Sequence, residues 1–235
     1  MKNALKYLIL ALIVTTIQGF AFTQTFKVTK EQKISTLERT FLQESVVTST
    51  DNRHFAYVAG SGQNMYVMRD LKSYFSYPYI KTDSLVFSPD GNHLAYIAGQ
   101  SSGSWFVVVD NVRKSPRNMD DIVSESLTFS PDSKRLAYLG SFMNRWFCTV
   151  DEREGTPMND IRTDSLIFSP DSKHLAYMAK DFNKWFVVID NNKGNEYDYI
   201  PPWSKISWLT SNKLSYILID ISNDIYVIEE SLKVK

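Results

Sequence analysis

Along this chain apolar residues come in short consecutive runs rather than at helical spacing. "LAYIA" at 94–98 and "WFVVV" at 105–109 are apolar at every position, and the polar stretch "GQSSGS" separates them. Runs of about five bounded by Gly, Ser and Asp predict strands, and consecutive apolar positions predict strands buried on both faces. Ahead of them "SLVFS" predicts a further short strand. The turn that follows is chemically specified: Pro89 restricts φ, Asp90 bonds nearby backbone, and Gly91 tolerates a left-handed conformation. After "WFVVVD" and the break "NVRKSP", the stretch "NMDDIV" predicts a weaker fourth strand.

The same order recurs. "SLVFSPDGNHLAYIA" at 84–98 returns as "SLTFSPDSKRLAYLG" at 126–140 and "SLIFSPDSKHLAYMA" at 165–179. Aligned on the tyrosine of the second strand, five copies place Tyr57, Tyr96, Tyr138, Tyr177 and Tyr216 at separations of 39, 42, 39 and 39 residues. A period near 40 is that of a four-stranded propeller blade, and the pattern lacks the 3.6-residue periodicity of helical repeats. Ala56, Ala95, Ala137 and Ala176, each just before its tyrosine, are expected where neighbouring sheets approach closely.

The strings "FSPDGNHLAYIA", "FSPDSKRLAYLG" and "FSPDSKHLAYMA", each followed by a "WFVVVD"-like strand, resemble the WD-repeat-like β-propeller repeats of TolB-like proteins. The similarity covers roughly residues 43–230 and weakens in the end copies, "TSTDNRHFAYVA" and "WLTSNKLSYIL". It implies an all-β propeller of about five four-stranded blades, residues 43–235, with the first strand of each blade innermost. Five copies are fewer than TolB's own propeller holds, and the chain has no room for TolB's extra N-terminal domain. The resemblance therefore extends to the repeat and not to the TolB role. Residues 22–42, with "QTFKVTKEQKISTL" at 24–37, are expected to supply an N-terminal strand that completes the last blade and closes the ring. An open arc that needs a partner is the alternative.

The N-terminus departs from this pattern. Lys2 and Lys6 precede an apolar run from Leu8 to Ile17, and Gly19 and Ala21 are small, which predicts a signal peptide over 1–21 cleaved after Ala21. The run is short for a membrane span of ~20 apolar residues, with an uncleaved anchor as the alternative. The mature chain is expected to be exported, periplasmic or secreted, without stable membrane insertion. Cys148 is the only cysteine, so no intramolecular disulfide forms even where export would permit one.

Charge narrows the partners. Lys plus Arg and Asp plus Glu both number 26, which leaves no basic excess for nucleic acid or an anionic membrane. His54, His93 and His174 recur at one repeat position that Arg135 and Lys213 also occupy, so they predict exposed strand starts rather than metal ligands. Asp90, Asp132, Asp171, Asp110, Asp151 and Asp190 read as turn residues, and Cys148 as a core residue rather than a nucleophile. No phosphate loop, nucleophile elbow or cysteine cluster is present, and neither a cofactor nor a metal is expected.

Two sets remain as candidate binding residues. Glu44, Asp83, Glu125 and Asp164 precede the first strand, with Ser204 in the fifth copy, and if that strand is innermost they ring one mouth of the channel. Such a ring suits a cation or a basic peptide. Tyr74, Phe75, Tyr77 and Tyr79 crowd "KSYFSYPYI", and Trp203 follows Pro201 and Pro202. Large aromatic side chains outside the repeat pattern suit a protein or glycan partner. The leading expectation is an exported, non-catalytic interaction module that binds a protein or peptide. The alternatives are a glycoside hydrolase-like enzyme using the channel-mouth carboxylates and an accessory subunit of an envelope complex.

Overall fold

Paired left-handed turns set the hairpins of this protein. Met143 and Asn144 (φ 49° and 57°) join two strands, as do Phe182 and Asn183 (φ 44° and 68°). Positive φ at both central residues gives the turn twist that matches paired strands. The next hairpin in each blade turns on Asp70–Leu71, Asp110–Asn111, Asp151–Glu152 and Asp190–Asn191 in the same way. The computed structural model describes residues 40–220 and 222–232. They belong to the larger of the two units into which the chain divides, Leu37–Lys235. The expected signal peptide, and most of the expected closing strand, lie outside the described residues.

The architecture is an all-β propeller of about five blades. The long hairpin of each blade is its centre: Phe55–Ser61 with Asn64–Arg69, Leu94–Ser101 with Ser104–Val109, Leu136–Phe142 with Arg145–Val150, Leu175–Asp181 with Lys184–Ile189, and Lys213–Ile219 with Ile225–Ser231. An outer strand follows in blades 1 to 4, six residues long in blade 1 and two in the other three, and blade 5 has three strands among the described residues.

The expected first and fourth strands change shape. In blades 2 to 4 the inner strand is made of two short pieces on the same neighbour: Tyr79–Ile80 and Val86–Phe87 both pair with Leu94–Ser101, with a loop between. The stretch read as the fourth strand of blade 2, "NMDDIV", instead bridges two blades. Met119 pairs with Trp105 of blade 2, and Asp121–Ile122 pair with blade 3. The outer strand proper is Val112–Arg113. Two adjacent pieces of chain serve different sheets, a division that alternation of apolar residues does not encode.

Four hydrophobic clusters lie between successive blades. Ala56 and Val58 of blade 1 pack with Tyr96 and Phe106 of blade 2. Ala95 packs toward Tyr138, Ala137 toward Tyr177, and Ala176 toward Tyr216. All four alanines are fully buried, because a methyl group leaves room for the next blade's tyrosine. Among the described residues no cluster joins blade 5 to blade 1, and Ile225 and Val227 of blade 5 are about two-thirds exposed.

Candidate functional site

The loop that splits each inner strand carries the acids, and a buried serine organises it. Ser45, Ser84, Ser126, Ser165 and Ser204 each stand twelve residues before the blade's tyrosine and are at most 3% exposed. In the first four, the hydroxyl donates to the carbonyl three residues back, at 2.6–2.7 Å. All five hydroxyls accept the backbone N–H of the second strand, from Val58, Ile97, Leu139, Met178 and Ile217, at 2.8–3.0 Å. The serine thus replaces a missing rung of the sheet where the inner strand bulges away. Sequence reading passed over these serines, although their constant offset from the tyrosine was visible.

Glu44, Asp83, Glu125 and Asp164 immediately precede four of these serines and are exposed. Asp83, Glu125 and Asp164 stand between the two inner pieces, Glu44 stands ahead of Val47–Thr48, and the fifth residue at that register is Trp203, with Ser204 among the buried serines. Asp83 accepts Ser124 Oγ of the next blade at 2.9 Å, and Asp164 pairs with Lys205 of the next. Lys205 holds the Asp164 carboxyl below the usual aspartate range. Other inner loops are linked likewise: Lys81 Nζ reaches Asp121 Oδ1 and Ile122 O, while Arg162 donates to the carbonyls of Ile200 and Pro201. Two of the four acids are therefore engaged in blade-to-blade contacts. Among the described residues no group of three or more His, Cys, Asp or Glu is placed to hold a metal ion.

The aromatic set divides. Tyr77 packs edge-on to Phe106 at 5.4 Å, and Tyr74 lies 6.4 Å from Tyr96 between blades 1 and 2. Both belong to packing. Phe75 (66% exposed), Trp203 (56%) and Tyr79 (36%) face solvent, with Tyr79 against the edge of Trp105.

The histidines are strand starts with fixed partners. His54, His93 and His174 bond through Nδ1 to Asp70, Asp110 and Asp190 at 2.7, 2.6 and 2.5 Å, and Arg135 Nε holds Asp151 in the same place. The other oxygen of each aspartate accepts the first backbone N–H of the second strand, as from Leu94 to Asp110 at 3.1 Å. In the Ser-x-Asp turns, the serine hydroxyls hold Asp51, Asp90, Asp132 and Asp171 below the usual carboxylate range. Burial pushes the Cys148 thiol up to about 12, so it is a packed neutral thiol.

No protein-family model and no curated sequence matches the chain. Solved structures similar to it include TolB proteins and propeller domains. TolB from Acinetobacter baumannii is 16% identical over 79% of this chain and 51% of that one, with a TM-score of 0.40. The putative TolB from Agrobacterium tumefaciens is 12% identical over 80% and 76%, at 0.38, and the Dos1 propeller is 10% identical over 77% and 52%, at 0.45. The chain thus spans about half the length of the Acinetobacter TolB it matches, and these likenesses concern the fold alone.

Proposed function

We propose that this protein is an exported, non-catalytic propeller module that binds a protein or peptide partner. The observation that carries the reading is a division of labour. The polar residues that recur from blade to blade, namely the serines, the turn aspartates and the histidines, are engaged with the protein's own backbone or with one another. The large side chains that do not recur, Phe75 on the outer strand of blade 1 and Trp203 on a turn before blade 5, stand more than half exposed. Exposed aromatics on a rigid scaffold are the side chains that dominate contact energy in protein interfaces. A catalytic reading needs two polar groups held in different environments, and the recurring sets are alike from blade to blade.

The test is capture of partners from the exported fraction of the source cells by wild-type protein and by the Phe75→Ala/Trp203→Ala double variant. The expected outcome is loss of a captured partner with an unchanged melting temperature, since both side chains are exposed. An identical set of captured proteins from both forms would contradict the assignment of the surface. The export half of the proposal is checked separately by mass spectrometry of the mature chain, which should begin at Phe22.

A further inference from the structure

Neighbouring blades are separated by clefts beside the Ser-x-Asp turns, and the protein fills these clefts differently at successive junctions. Between blades 1 and 2 two side chains of blade 1 occupy the space. Arg69 Nη2 donates to the carbonyls of Gly91 and Asn92 (3.1 and 2.8 Å), Nη1 donates to Asp110 Oδ1 (3.1 Å), and the guanidinium lies 5.4 Å from the centre of the Phe87 ring. Tyr74 fills the remainder. Between blades 3 and 4 Arg135 plays the same part. It donates to the carbonyls of Ser172 and Lys173 at 3.2 and 2.7 Å and lies 5.3 Å from the centre of Phe168.

Between blades 2 and 3 both fillers are missing. Val109 stands at the register of Arg69, since each lies opposite the small alanine of its blade, Ala95 and Ala56. Lys114 stands at the register of Tyr74 and pairs across the junction with Glu152 at 2.9 Å, and both residues line the cleft without reaching the carbonyls of Ser133 and Lys134. The position of Arg135 is held in blade 2 by His93, which is paired with Asp110. Among the described residues nothing donates to the carbonyls of Ser133 and Lys134, which correspond to the arginine-bound carbonyls at the junctions of blades 1 and 2 and of blades 3 and 4. A cavity of about 560 Å³ lies at this junction, lined among others by His93, Val109, Phe129, Ser133, Lys134 and Arg135, and one of about 500 Å³ remains beside Arg135 at the junction of blades 3 and 4, so what distinguishes this junction is the free pair of carbonyls rather than the volume.

We infer that this cavity binds the guanidinium group of an arginine side chain presented by a partner peptide. The protein itself displays the occupant, because a guanidinium takes the equivalent place twice. The acceptors match: two successive backbone carbonyls suit a planar fork of N–H donors, and the Phe129 ring, on which His93 stacks at 6.5 Å, stands where Phe87 stands, a ring that takes both His54 and the Arg69 guanidinium. Lysine has a point charge and no planar fork, so it reaches the two carbonyls less well. Val109 supplies an apolar wall for the aliphatic stem. The inference rests on the reading of the protein as a peptide-binding module and names one chemical element of the peptide.

The experiment is titration of the whole exported chain with N-acetyl-argininamide, its lysine counterpart and its uncharged citrulline counterpart, followed by calorimetry. Wild type is expected to bind the arginine compound saturably, with a Kd of about 1 mM or tighter, and the other two about tenfold more weakly. Val109→Arg installs the guanidinium from the register of Arg69, so it should abolish binding of the probe and raise the melting temperature. Phe129→Leu, which keeps an apolar side chain but removes the aromatic face, should weaken binding several-fold should Val109→Arg not fold. No saturable binding by wild type, equal binding of the citrulline compound, or undiminished binding by a folded Val109→Arg would each overturn the assignment. Capture of a partner through Phe75 and Trp203 is measured independently, so a silent cleft with a retained partner removes this site and leaves the module reading intact.

Discussion

At the scale of single residues, the buried serine is the most consequential side chain of the repeat. Its hydroxyl both donates and accepts, and removing it leaves the N–H of the second strand without a partner inside the sheet. Ser84→Ala or Ser165→Ala should therefore cost about 1–3 kcal/mol, read as a fall of several degrees in melting temperature at roughly 2–4 °C per kcal/mol for a chain of this size. Asp83→Asn, one residue away and exposed, should cost less than about 0.5 kcal/mol. Chemical denaturation of the three variants checks the contrast. Tyrosines give a second contrast. The Tyr138 hydroxyl donates to Ser115 Oγ at 3.0 Å, whereas the Tyr177 hydroxyl is buried with no hydrogen-bond partner among the described residues. Tyr138→Phe should destabilise by about 1 kcal/mol, and Tyr177→Phe should be neutral or stabilising. The opposite ordering would show that Tyr177 has a partner.

The turn aspartates make stability depend on acid. Asp90, Asp132 and Asp171 are lowered from 3.8 in the folded state, chiefly by the hydroxyls of Ser88, Ser130 and Ser169. A group whose folded pKa is depressed binds its proton more readily when unfolded. Its contribution is fully present above about pH 4 and is lost as the pH falls through the folded value. The denaturation midpoint of wild type should therefore fall between pH 6 and pH 3, after roughly a plateau at the upper end. The triple Asp→Asn variant, which has no proton to take up at these positions, should show a flatter profile. Equal slopes would refute the assignment.

At the scale of elements, the junctions between blades are governed by small residues. Ala176 is fully buried between blades 4 and 5, so Ala176→Leu forces three further carbons into a packed layer. It should cost about 1–3 kcal/mol, whereas the same change at an exposed strand end should cost little. How much of this was legible is clear from particular positions. The strands "LAYIA" and "WFVVV", the 39-residue period and the role of the alanines could all be read, because burial on both faces leaves an apolar run and repetition makes it recognisable. The split inner strand was not legible: "SLVFS" is as apolar as a continuous strand, and only the hydrogen bonds of Ser84 reveal that its first half loops out. Nor was the cleft legible, because Val109 differs from Arg69 by substitution at one register, and registers are properties of the paired sheet.

At the scale of the whole molecule, about five similar blades meet, among the described residues, at four packed junctions, and the repeat confines each blade's core to its neighbours. Such proteins draw their stability from intrinsic and nearest-neighbour terms. Blade 5 has no described neighbour on its far side, and Ile225 and Val227 there are largely exposed, so its last strand should open first. The central claim is that the recurring polar residues serve the fold, with each serine completing the sheet of its own blade. Native-state hydrogen exchange tests it directly, at the amides of Ile97, Leu139 and Met178, which bond to serine hydroxyls in the three most regular blades. The account predicts that these three amides exchange only through the largest opening the protein undergoes, that Ser84→Ala accelerates Ile97 far more than Met178, and that amides of Ile225–Ser231 exchange faster than all three. Rapid exchange of the three amides in wild type, or an effect of Ser84→Ala spread evenly over all three, would contradict it.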